Sequence, residues 1–420
     1  MDVISSKSTN RIIRKTLSIV NNKIMKHGEI VGYILYKMLQ SEHLYSDEHL
    51  ADYMMLGILH DIGLYKEGDL TDVANQDISN PWPHSIYGFL FLKYLSPLGD
   101  KAEIVLYHHL DYNRYSLIKS QYLHIIECLS LADKMDNFMR MKKGEMQKDY
   151  FIRYKDIKFS GKALALFWKA EEEYHIMASL SDESYKQELE EVLSRQTYTE
   201  QYKKKFLEML VYTIDFRSEY TVLHTIATVN FSQQIGRLMH IQGQDIRNLY
   251  YGAMLHDIGK LAIPVSILES PGKLSVEEMR IMKAHVRITE MILEDEISQE
   301  VLEIAIRHHE KLDGSGYHKG LKEEDMTLPQ MILGVADIFS ALYGRRSYKE
   351  SFDGELIKKI LVNEADHKRI NKKVVNCVVK NYDQIISKFE KEKEENVDQY
   401  LNIIGKYNSM CKRFEKINNT

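Results

Sequence analysis

The chain has 420 residues, 44% hydrophobic and 28% charged, the composition of an ordinary globular protein with room for two cores. A formal net charge of -5 excludes a general basic field for duplex DNA or RNA, so a phosphate-bearing ligand needs a local cluster of cations. No apolar run reaches the length of a transmembrane helix, which excludes a membrane-spanning class and makes a membrane partner unexpected.

Residues 1–22 carry charges throughout and lack the apolar core of a signal peptide. Cys128, Cys377 and Cys411 lie far apart, with neither zinc spacing nor a disulfide framework, so a reducing cytoplasm is the expected compartment. The six prolines stand at 81, 83, 97, 264, 271 and 329, leaving Leu98 to Ile263 without one. Such a chain, rich in Leu, Ile, Lys, Glu and Met, favours long helices, because proline breaks the helical hydrogen-bond ladder.

Taken in chain order, the histidines mark two elements of the same design. The first holds His27, then His60-Asp61-Ile62-Gly63, then His84, His108-His109 and Asp133. The second holds His224, then His256-Asp257-Ile258-Gly259, then His285, His308-His309 and Asp337. His27 to His60 spans 33 positions and His224 to His256 spans 32; His84 to His108 spans 24 and His285 to His308 spans 23. Flanking text agrees, LGILHDIG with GAMLHDIGK and SLADKMDNF with GVADIFSAL, so the chain is an internal duplication. A lone histidine on an apolar helix face is more often a packed core residue than a ligand. Two matching sets of five histidines and two aspartates are poorly explained that way.

The predicted organisation is all-α, with two tandem helical domains each built around a metal site. The first covers residues 1–185. A charged stretch at 186–205 reads as a solvated helix or connecting rod. The second domain covers 206–390, and 391–420 reads as an added helix that could dock on either domain or on a second subunit of a homodimer. Within the second domain, Ser275 with Glu278 predicts a capping box before Met279 to Leu293. On that helix Ile281, His285, Ile288 and Ile292 share one face, which points His285 inward. Ser298 is placed to cap the helix that leads to His308 and His309, and Pro329 suits the first turn of the helix bearing Asp337.

Five imidazoles and two carboxylates without a thiolate form a borderline-to-hard donor set, suited to Fe, Mn, Zn, Co or Ni. Seven donors exceed the need of one tetrahedral zinc. The economical arrangement is two divalent metals bridged by Asp257, with His224, His256 and Asp337 completing one site and His285, His308 and His309 the other. Two metals about 3.5–4 Å apart can hold a bridging hydroxide and stabilise both oxygens of an in-line phosphoryl displacement.

His256-Asp257-Ile258-Gly259-Lys260, His308-His309-Glu310 and Asp313-Gly314-Ser315-Gly316-Tyr317 resemble the HD-GYP signature within the wider HD phosphohydrolase superfamily, over about Lys205 to Lys388. The resemblance implies a phosphodiesterase that hydrolyses cyclic di-GMP to pGpG or on to GMP at a bi- or trinuclear iron or manganese centre. By it, Asp257 and Lys260 are the catalytic pair, with Lys260 on a substrate phosphate, and Arg346 and Lys349 bind the dinucleotide's phosphate and guanine. Gly314 and Gly316 would let the loop that carries Tyr317 turn sharply near the ligand.

Three positions depart from the signature. His318 replaces its proline, Ser340 stands where many members carry aspartate, and Tyr220 stands where trinuclear members carry glutamate, which favours two metals over three. In the first domain His27, His60, Asp61, His84, His108, His109 and Asp133 form a candidate second metal site. Leu64 replaces the lysine there and HHLDYNRY replaces the glycine-bearing loop, so a sensing or structural role is favoured over independent cleavage. Rival readings are a hydrolase of another nucleotide or phosphate ester, an oxygen-activating di-iron enzyme, and a catalytically silent cyclic-dinucleotide receptor.

Overall fold

The computed structural model describes residues 3–66, 82–141, 148–215, 222–270, 272–344 and 353–418. Among them helices dominate and no strand forms beyond isolated bridges such as Asp313 with Lys322. None of the described helices is long and apolar enough to cross a membrane. The chain divides into two compact units.

One unit comprises residues 17–209 with 402–420. Its helix Asn22–Gln40 starts where the Asn21 side chain accepts the amides of Lys23 and Ile24, satisfying donors that the first turn leaves unpaired. That helix packs on Asp47–Ile58, which delivers His60 and Asp61 just beyond its last turn. Helices Trp82–Leu95 and Leu123–Met141 carry His84 and Asp133.

The stretch 186–205 is not a solvated rod. Helix Tyr185–Ser194 buries Tyr185, Leu189, Val192 and Leu193, an i, i+4, i+7, i+8 stripe that the charged residues between them obscure in composition. Helix Glu200–Asp215 then buries Phe206 and even Lys203, whose ammonium pairs with Glu200. The Tyr202 hydroxyl donates to Asp52 at 3.0 Å and ties the start of this helix to the same unit. The end of the chain also belongs here. Tyr407 stacks on Tyr87 at 3.7 Å, and Phe414 sits against Trp82 and Tyr107, at 4.5 and 5.9 Å between ring centroids.

The other unit comprises residues 1–16 with 210–401. The N-terminal segment is fastened to it by Lys15, which bridges to the buried Glu296 at 2.8 Å. Its core gathers Phe231, Ile235, Leu249, Phe339, Tyr343 and Phe389, with Phe231 stacked on Phe339 at 4.3 Å. Each such aromatic or aliphatic side chain contributes roughly 1.5–3 kcal/mol by leaving water. The expected punctuation is present: Ser275 and Glu278 form a capping box at Val276–Leu293, Ser298 accepts the Val301 amide at Gln299–Ile306, and Pro329 is the second residue of Leu328–Gly344. Proline costs nothing there, because that amide has no helical partner.

Candidate metal centres

In the second unit helix Gly243–Leu255 ends at His256, and its last turn leaves carbonyls without partners. The His256 Nδ1–H donates to one of them, Ala253 O, at 2.7 Å. His308 does the same to Ala305 O at 2.6 Å, and His285 to Met282 O at 2.7 Å. Each bond fixes the tautomer and leaves Nε2 as the lone-pair donor facing inward.

These nitrogens converge on two carboxylates. Asp257 Oδ2 lies 3.1 Å from His256 Nε2 and 3.5 Å from His224 Nε2, whereas its Oδ1 lies 3.4 Å from His285 Nε2 and 3.8 Å from His308 Nε2. Asp337 directs Oδ1 to His224 at 3.2 Å and Oδ2 to His309 Nδ1 at 3.7 Å. Two donor groups result, His224/His256/Asp257 and His285/His308/His309. Asp257 stands between them.

A metal fits this arrangement. Among the described residues, the buried His256 Nε2 and Asp257 Oδ1 have no hydrogen-bond partner, a cost of about 1–3 kcal/mol each unless a cation takes the lone pair. His60 Nε2, His108 Nε2 and Asp61 Oδ1 repeat this in the first unit.

The turn after His256 depends on Gly259. A Cβ there would meet the His285 carbonyl oxygen at 2.1 Å and the Thr289 amide nitrogen at 2.8 Å. The Thr289 hydroxyl accepts the Gly259 amide at 3.0 Å, and it lies 3.2 Å from the His256 carbonyl. Backbone contact at this point holds the Asp257 turn against the helix of His285.

The first unit repeats the design. His60 and His108 anchor Nδ1 on the carbonyls of Gly57 and Val105 at 2.7 and 2.6 Å. Asp61 lies 3.4 Å from both His60 and His84 and 3.7 Å from His108. Asp133 lies 3.1 Å from His27 and 3.7 Å from His109. The donor groups are Asp61/His84/His108/His109 and His27/His60/Asp133. A residue not singled out in the sequence also belongs: Asp136 accepts from His27 Nδ1 at 2.6 Å and from Arg140 Nε at 2.9 Å. Its signal was there in Asp133 and Asp136, one helical turn apart. Ser340, the matching residue three after Asp337, bonds His224 Nδ1 at 2.9 Å.

Titration divides the imidazoles. Burial lowers the pKa of His256, but Asp257 and Asp337 outweigh it and lift the group to about 10. His27 reaches about 10 against the same burial through Asp133 and Asp136. Burial prevails at His285 and His84, lowered to about 4, and at His309, lowered to about 3. Burial would raise Asp257, yet His256 and Lys260 hold it well below the usual carboxylate range. The cluster thus offers ionised carboxylates and, on one side, neutral imidazoles, the protonation states that metal binding requires.

Lys260 reaches the cluster, with Nζ 2.5 Å from Asp257 Oδ2. Gly314 adopts φ +81, and a Cβ on Gly316 would meet the Lys311 amide nitrogen at 2.3 Å, so both turns of the loop need glycine. The Tyr317 ring lies 4.7 Å from that of His309. His318, in place of the signature's proline, donates to Glu290 at 2.9 Å. Glu290 was not foreseen, and the buried Glu310, part of the quoted motif, was given no role; it accepts the amides of Lys319 and Leu321 at 2.6 and 3.0 Å. Tyr220, Arg346 and Lys349 lie outside the described residues.

The HD domain model matches residues 203–374, and a second HD domain model matches 14–139. The chain belongs to the HD-domain family. It carries two such domains in tandem, each around a His/Asp cluster able to hold metal. Relatives of this HD chain include 3'3'-cGAMP-specific phosphodiesterase 1 of Vibrio cholerae serotype O1, 27% identical over 89% of this chain and 90% of that one. A cyclic di-GMP phosphodiesterase of Thermotoga maritima is 36% identical over 45% of this chain, a match that spans about half of that relative (52%). A crystal structure of cyclic GMP-AMP specific phosphodiesterases in V. cholerae aligns with a TM-score of 0.55 at 19% identity, covering 90% of this chain and 97% of that one, and shows a shared fold.

Proposed function

We propose that this chain is a metal-dependent phosphodiesterase that hydrolyses a cyclic dinucleotide, cyclic di-GMP, to pGpG or GMP in the cytoplasm. The observation that carries the reading is the placement of Asp257, with one oxygen toward His224 and His256 and the other toward His285 and His308. His224, His256 and Asp337 would hold one divalent ion and His285, His308 and His309 a second, with Asp257 shared; iron or manganese suits this thiolate-free set. When bound, such ions polarise a phosphoryl oxygen and bring the pKa of water near neutrality.

The chain's own groups do the rest. The backbone carbonyls of Ala253, Met282 and Ala305 hold the imidazole tautomers. Lys260, beside Asp257, offers a cation to a phosphate oxygen arriving at the cluster. The Tyr317 phenol, raised by burial and by Asp337 and Asp257, stays protonated and donates rather than repels.

A second reading takes 3'3'-cGAMP as substrate, favoured by the near full-length match to the V. cholerae enzyme of that specificity. Metal-loaded protein assayed against cyclic di-GMP, 3'3'-cGAMP and nucleoside mono- and triphosphates separates the readings. Turnover of mononucleotides alone would sink both. In the first unit Leu64 takes the place of Lys260, and a metal-stabilised sensing or structural role fits that loss better than a second cleavage site.

A further inference from the structure

The cations around the second cluster are not equivalent. Lys260 bonds Asp257 at 2.5 Å, and Lys319 reaches Glu290 at 3.3 Å. Lys283 differs. Among the described residues it makes no ion pair; it is exposed, and Nζ stands 4.7 Å from the centroid of the Tyr317 ring.

Sequence spacing alone would not bring Lys283 to the site. It precedes His285 by two residues on Val276–Leu293, a spacing that places two side chains on different helix faces. The loop supplies the connection. The Tyr317 amide donates to the His309 carbonyl at 3.2 Å, and its ring packs on the His309 ring at 4.7 Å. The next two residues are held against the helix of His285 by Glu290, His318 at 2.9 Å and Lys319 at 3.3 Å. Tyr317 is thereby fixed between a cluster imidazole and the Lys283 ammonium.

The chemistry of the substrate class, taken from the proposed function on which this inference rests, calls for such a cation. A cyclic dinucleotide has two phosphodiesters. While one is cleaved at the cluster, the other remains an anion that needs a cation of its own. An ammonium held over an aromatic face neutralises a phosphate and keeps its attraction to the ring. We propose that Lys283, carried over Tyr317, is a specificity-determining residue that binds the phosphate not being cleaved.

The test compares cyclic di-GMP and 3'3'-cGAMP with bis(p-nitrophenyl) phosphate, a diester that has no second phosphate. Lys283→Met keeps the aliphatic stem over Tyr317 and removes the charge; Lys283→Arg keeps the charge. For Lys283→Met, kcat/KM for the cyclic dinucleotide relative to the small diester should fall about ten- to a hundredfold, mostly through KM, the size of a lost charged hydrogen bond. Lys283→Arg should restore most of the ratio. An unchanged ratio, or equal losses on both substrates, overturns the assignment of Lys283. Wild-type protein that cleaves no cyclic dinucleotide overturns the proposed function itself, and this assignment with it.

Discussion

The Nδ1 atom of His27 lies 2.6 Å from Oδ2 of Asp136. The Nδ1 atom of the matching imidazole in the second unit, His224, lies 2.9 Å from the hydroxyl of Ser340. A carboxylate behind a histidine makes it a more basic donor than a hydroxyl does. Asp136→Ser should therefore weaken metal retention at the first cluster about ten- to a hundredfold, and Ser340→Asp should strengthen it at the second. Competition of each variant against a chelator reads the affinities directly. Identical curves for wild type and both variants would show that these partners do not tune the sites.

Asp257 and Asp61 occupy equivalent places, but only the second unit has the lysine beside its aspartate. Asp257→Ala should reduce kcat on a cyclic dinucleotide by at least about a thousandfold and lower metal content, whereas Asp61→Ala should retain much of the turnover. Equal losses from the two changes, measured by steady-state kinetics and metal analysis, would mean that the clusters act together.

Stability should peak in a window set by the two kinds of histidine. His285, His84 and His309 have folded pKa values of about 4, 4 and 3, below the ordinary 6.5. The unfolded chain takes up their protons first as pH falls below 6.5, so stability drops from there toward pH 4. His256 and His27 are raised to about 10. Their contribution is fully present below 6.5 and is lost as pH rises through 10. Each flank amounts to a few kcal/mol, on the order set by linkage. Melting temperatures of chelator-treated protein from pH 4 to 10 should fall on both sides of a maximum near neutrality. A melting temperature that climbs steadily from pH 7 to 10 would contradict the assignment.

Gly259→Ala places a methyl group 2.1 Å from the His285 carbonyl oxygen, and Gly63→Ala places one 2.0 Å from the His84 carbonyl oxygen. Backbone cannot step aside as a flexible side chain can, so each change should cost about 1–3 kcal/mol and loosen its own cluster. Thermal melts of each variant with and without added Mn²⁺ would register both effects. A Gly259→Ala protein with wild-type melting temperature and metal content would show that the turn tolerates a displaced helix.

Much of the site was readable before any fold was known, because a duplicated chain keeps its spacing. His60, His84, His108 and Asp133 recur as His256, His285, His308 and Asp337 at nearly the same intervals, and the structure brings each set together. The capping box at Ser275 and Glu278 was equally visible, since a cap is a local event within one turn. Composition misled at 186–205. There the apolar stripe Tyr185, Leu189, Val192 and Leu193 is diluted by charged residues on the opposite helix face.

The sequence by itself determined the duplication and the helical class and pointed to the recurring histidines and aspartates, since residue identity and period survive without coordinates. Only the tertiary structure decided that residues 1–16 join the unit of 210–401 and that residues 402–420 join the unit of 17–209. It also decided that Asp136 and Ser340 stand behind equivalent histidines, and that Lys283 meets Tyr317 across 34 positions of sequence. Such pairings depend on which faces the helices and loops turn toward one another. Packing sets that geometry, and no local periodicity encodes it.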